Sequence, residues 1–143
     1  MNTAQHSKPA IIAALREWIA QRPGLQWRNY GSSKAYSSEY RAILRDRRDA
    51  ETLLAAVATI ADITGDDLAA SFRAFSGRLS WNGERLEYVT GQYWPTEYRK
   101  AVCAVASQAL WTHFGKEHKT GPEIRRAIAG YLRSRGVVNR WVN

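Results

Sequence analysis

The stretch Thr96-Glu-Tyr-Arg-Lys-Ala-Val-Cys-Ala-Val-Ala-Ser-Gln-Ala-Leu-Trp-Thr-His-Phe114 decides the fold. Pro95 stands before it and Gly115 after it, a residue that suits a helix start and one that suits a helix end. From Ala101 to Leu110 the residues are apolar or small on nearly every face, and a helix without a polar side belongs inside a bundle. The expectation is therefore a mainly α, single-domain bundle of about six helices around this central apolar helix (about 96–114), with one β-hairpin (about 78–89) inserted before it. Cys103, in the middle of the stretch, reads as a buried small hydrophobe rather than a nucleophile.

Toward the C-terminus, Thr120-Gly-Pro-Glu123 has capping-box spacing with Pro in the first turn, and Gly136 ends the helix it opens. Ile124, Ile128, Tyr131 and Leu132 form its buried side, and the tail 137–143, which carries Trp141, is expected to dock as a short extended segment. Toward the N-terminus the period changes from helical to alternating. Arg78-Leu-Ser-Trp81, Asn82-Gly83 and Glu84-Arg-Leu-Glu-Tyr-Val89 read as a hairpin with a two-residue type I′ turn. That turn sets Leu79 against Leu86 and Arg78 against Glu87, with Leu79, Trp81, Leu86 and Tyr88 on one side, resting on helices because two strands alone are marginal.

Four further helices precede the hairpin in this reading. The first starts at Ser7-Lys-Pro9 and runs to about Arg22, with Ile11, Leu15, Trp18 and Ile19 on its inner face, before Pro23 and Gly24. The second is capped by Ser32 or Ser33 and reaches Arg47 or beyond, and Asp46 and Asp49 mark a break before a third from about Ala50 to Ile63. Thr64 and Asp67 open a fourth toward Phe75. A helix-turn-helix made of the third and fourth is disfavoured, since Asp66 and Asp67 would face the phosphates.

With 143 residues the chain suits one domain, 1–143, with a short flexible N-terminus 1–6, and at this size it needs no disulfide or metal staple. Its single cysteine excludes an internal disulfide, and a reducing cytoplasm fits best. No apolar run approaches membrane-spanning length, so no membrane partner is expected. Neither a nucleophile elbow nor a glycine-rich phosphate loop occurs. His113 and His118 stand five apart across a helix end, which is not the spacing of a shared metal. The reading is a protein that is not an enzyme, with no cofactor, no metal site and no catalytic residues.

Charge is the positive signal. Twenty-one Lys and Arg against thirteen Asp and Glu leave +8 with a pI near 10, which favours polyanions. Residues 72–143 hold twelve basic and five acidic side chains, so nearly all the excess lies there. Lys34, Arg41, Arg45 and Arg48 are spaced to share roughly 60° of arc if their helix runs that far, a face able to track phosphates. The competing reading is a solvated face neutralised by Asp46, Asp49 and Glu51. Ahead of that stripe, Trp27, Arg28, Tyr30, Ser32, Ser33 and Lys34 resemble an anion site at a helix N-terminus with two aromatics placed to stack, or equally a capped helix with aromatics plugging a gap.

A second basic surface is expected from Arg126 and Arg133, flanked by Arg125 and Arg135 and extended by Arg99, Lys100, Lys116, Lys119 and Arg140. Tyr93, Trp94 and Tyr98 around Pro95 read as core packing at a junction. The functional expectation is a non-enzymatic binding protein that contacts nucleic acid or a nucleoprotein complex through basic helix faces and loop aromatics. The alternative is a small inhibitor or adaptor that grips an acidic protein surface. Proteins of the anti-CRISPR and antirestriction type work that way, an analogy of size and absent chemistry alone.

Overall fold

A computed structural model describes residues 6–20, 33–76, 79–88 and 95–141. Within them the chain forms five α-helices and a two-stranded antiparallel sheet: α1 (Lys8–Ala20), α2 (Ser33–Thr59), α3 (Gly65–Ser71), a π-helical turn (Phe72–Ser76), β1 (Leu79–Trp81), β2 (Leu86–Tyr88), α4 (Pro95–Gly115) and α5 (Gly121–Ser134). α1 starts where expected: Ser7 Oγ accepts from Ala10 N, and the Ser7 carbonyl accepts from Ile11 N.

The break expected at Asp46 and Asp49 does not form, and α2 is one helix of 27 residues. Between Ser33 and Thr59 there is neither Gly nor Pro, and Asp inside a helix costs only tenths of a kcal/mol, roughly, unless its carboxylate captures the backbone. Here both carboxylates are turned to a tertiary partner instead. The two helices expected over 32–63 are thus one, ending at Thr59, and Ile60–Ile63 form the turn into α3.

Thr64 caps α3 as its spacing implied: its Oγ1 accepts from Asp67 N at 3.1 Å while Thr64 N donates to Asp67 Oδ2 at 3.0 Å. The helix does not run on to Phe75 in α geometry but widens into the π turn after Ser71.

The hairpin exists but its register is corrected. Leu79 pairs with Tyr88, Ser80 with Glu87 and Trp81 with Leu86, so the loop holds four residues, not two. Asn82 explains this. Its side-chain oxygen accepts from both Glu84 N (2.8 Å) and Arg85 N (2.9 Å), and only Gly83 takes a positive φ, whereas a type I′ turn needs two such residues. Because the shift is even, the side-chain alternation keeps Leu79, Trp81 and Leu86 on one face; the Tyr88 side chain lies outside the described part.

A single apolar cluster joins every helix. Ile11, Leu15 and Ile19 of α1 meet Leu53, Leu54 and Val57 of α2, Leu68 of α3, Val102, Val105 and Leu110 of α4, and Ile128 and Leu132 of α5. α4 and α2 form the most extensive helix pairing, and α4 also packs on α3, the π turn and α5. Cys103 is fully buried on α4, as its neighbours implied. Tyr131 ties α5 to α2, its hydroxyl 2.7 Å from Thr59 Oγ1 and donating to the Ala56 carbonyl at 3.2 Å.

Candidate nucleic-acid interface

The candidate surface is organised by the segment after α5. Gly136, at φ +73°, closes the helix: Gly136 N donates to Arg133 O and Val137 N to Leu132 O, both at 2.9 Å. This pair of bonds is the Schellman arrangement, which needs a left-handed residue where Gly136 stands. The chain then turns back across α2. Asn139 is buried and donates from Nδ2 to the Asp49 carbonyl at 3.1 Å, while its Oδ1 accepts from Trp141 N at 2.8 Å.

Arg140 follows and meets two carboxylates. Its Nε lies 2.8 Å from Asp49 Oδ2, and its terminal nitrogen pairs with Asp46 Oδ1. Both acids are buried, at 2% and 6% exposure, so the guanidinium supplies the charge that solvent cannot. Burial pushes the Asp49 carboxyl above its usual range, against the opposing pull of Arg48, Arg45 and the Trp141 indole N–H. Burial likewise lowers Arg140, and Arg45 adds to that lowering. Arg45 and Arg48 thus feel the same carboxylate that Arg140 clamps.

This arrangement answers how the α2 stripe is neutralised. Arg41, Arg45 and Arg48 are exposed and form no salt bridge among the described residues, whereas Asp46 and Asp49 are taken by Arg140 and Glu51 by Arg47 at 2.9 Å. Since α2 is continuous, the backbone positions of Lys34, Arg41, Arg45 and Arg48 share one face. Ser33 and Lys34 lie in its first turn, their side chains outside the described part. Trp27, Arg28, Tyr30 and Ser32 lie outside the described residues, as do Tyr93 and Trp94.

Beyond Arg140 the surface becomes aromatic. The Arg140 guanidinium sits 4.5 Å over the Trp141 ring, and Trp141 closes a groove of about 500 Å³ whose other wall is Ala104, Ser107, Gln108 and Trp111 of α4. Arg125 of α5 lies 6.0 Å over Trp111. A cation over an indole face is attracted by the ring quadrupole, so each indole carries a positive neighbour. The Ser107 hydroxyl is buried there with no hydrogen-bond partner. On α5, Arg126 and Arg133 are exposed, and Arg135 covers Tyr131 at 4.5 Å.

One residue leaves the expected picture. Arg99 does not extend the basic surface: it is 1% exposed, its guanidinium has no hydrogen-bond partner among the described residues, and burial together with Arg47 pushes it down to about 10 despite Glu51. Lys100, beside it, is exposed. The Cys103 thiol is pushed up by burial and by Asp49, away from the thiolate that nucleophilic chemistry needs. Among the described residues no group of three or more His, Cys, Asp or Glu could hold a metal ion.

The groove is what sequence reasoning missed. Ala104, Ser107, Gln108 and Trp111 recur at three, four and seven positions, a single stripe of α4, and that spacing was the available signal. In comparisons with protein families, curated proteins and solved structures, the chain has no match. No helix of the described residues is long and apolar enough to cross a membrane.

Proposed function

We propose that the protein is a non-enzymatic binding protein for nucleic acid or a nucleoprotein complex, acting in the cytoplasm, with α4 as the axis of its bundle. The observation that carries this reading is the separation of charges around Arg140. The acids nearest the stripe are buried and ion-paired with Arg140, and Arg41, Arg45 and Arg48 stand exposed with no salt bridge among the described residues. Cations left unpaired on one helix face are suited to phosphates, whose binding releases condensed counterions. From that face the surface continues through Arg140 and Trp141 to Trp111 and Arg125, so cationic and aromatic groups adjoin one another.

The test is an anisotropy titration of single-stranded and duplex DNA and RNA at low and physiological salt. The native protein is compared with a Lys34→Ala, Arg41→Ala, Arg45→Ala, Arg48→Ala variant. Binding should weaken steeply with salt, and the variant should lose about three units of the log–log salt slope if each cation meets a phosphate. Absence of binding at low salt overturns the reading and directs the search to a protein partner.

A further inference from the structure

We infer that the groove between α4 and the tail receives an unpaired base, so that the favoured ligand is single-stranded nucleic acid. This rests on the nucleic-acid reading above and adds to it a contact with bases in place of phosphates alone. The groove is lined by two half-buried indoles, Trp111 and Trp141, together with the small side chain of Ala104. A largely apolar groove lined by aromatic rings suits the face of a base, and stacking on an aromatic side chain tolerates any base because each has a π face.

Charge complementarity selects this occupant over an apolar peptide. Arg140 stands over Trp141 and Arg125 over Trp111, so each indole of the groove carries a guanidinium, and Arg45 and Arg48 lie within electrostatic reach of Asp49, which Arg140 pairs. A strand with a phosphate on either side of each base satisfies both features at once. A duplex keeps its bases stacked on one another and cannot present one here without unpairing it.

The experiment compares an oligothymidylate of about twelve nucleotides with an abasic strand of the same phosphate number, titrated against the full chain at physiological salt. The native protein should bind the base-bearing strand about tenfold more tightly or better. Trp111→Leu and Trp141→Leu should each shrink that ratio toward one, with the helical circular dichroism confirming that the fold is kept. Equal affinity of the native protein for the two strands overturns the groove assignment and leaves the phosphate-binding surface standing. Failure to bind either strand overturns both. The native comparison needs no variant, so it decides the matter even where a tryptophan substitution disturbs folding.

Discussion

Asn139 Nδ2 donates to the main-chain carbonyl of Asp49 across 90 positions of sequence, at 3.1 Å and away from solvent. The carbonyl belongs to the middle of α2, the donor to the segment released by the Gly136 turn. This single bond places Arg140 over Asp46 and Asp49 and Trp141 beside α4. The candidate surface is therefore set by tertiary docking of five residues rather than by any one helix.

Asn139→Ala removes a buried donor and acceptor and leaves Trp141 N without its partner. A loss of about 1–3 kcal/mol in unfolding free energy is expected from the stranded polar groups. Urea titration followed by circular dichroism measures it, and a change within error of zero would mean that the tail is held by Arg140 alone.

Arg99→Met should stabilise the fold. A guanidinium at 1% exposure with no hydrogen-bond partner among the described residues carries a desolvation cost that an apolar side chain of similar length avoids, by about 1–3 kcal/mol. The pH dependence has a defined sign. Arg99 is depressed in the native state to about 10, below its ordinary value, so from pH 10 upward to that ordinary value the unfolded chain holds more protons and the Arg99 contribution rises with pH. Denaturant midpoints of native and Arg99→Met proteins should converge above pH 10; a Met variant less stable than the native protein at pH 7 refutes the assignment.

How much of this could be read from residues alone is clearest in α2. The stripe Lys34, Arg41, Arg45, Arg48 was legible from spacing, and so were the α1 and α3 caps, the end of α5 at Gly136 and the buried face of the hairpin, because each depends on neighbours within one or two turns. The continuity of α2 was not. Asp46 and Asp49 resemble a helix break until Arg140, more than ninety positions away, is placed over them. The hairpin register failed for a local reason, the competition of the Asn82 side chain for backbone N–H groups, which favours a longer loop than Asn-Gly usually gives. The groove needed both an α4 stripe and a docked tail, and the second could not be inferred from periodicity.

Cys103 should resist thiol reagents until the protein unfolds, since the native thiol is buried and held protonated. Above pH 9, the usual thiol value here, the unfolded chain releases a proton that the native state keeps, so stability should fall as pH rises, by up to about 1.4 kcal/mol per unit. Comparing the alkaline slope of unfolding free energy in native and Cys103→Ala proteins isolates this term. Rapid labelling by a disulfide reagent under native conditions would contradict the buried placement.

Gly65→Ala should destabilise the junction of α1 and α3. A Cβ there would collide with the His6 carbonyl and come within 2.7 Å of Lys8 N, and backbone cannot yield as a flexible side-chain end does. A cost of about 1–3 kcal/mol is expected from this overpacking, together with disruption of the Lys8 Nζ bond to the Ile60 carbonyl. Thermal unfolding monitors it, and an unchanged midpoint would show that residues 6–8 move aside freely.

The uninterrupted course of α2 also defines a length. From Lys34 to Arg48 the helix advances roughly 21 Å at 1.5 Å per residue, and because no hinge divides it, the backbone positions of the four basic residues form a rigid ruler. On a duplex that span corresponds to about six base pairs, so a shorter ligand leaves one end of the ruler unmatched however tightly it grips the other. Affinity should therefore rise with oligonucleotide length up to that span, after which further length adds only more places to bind.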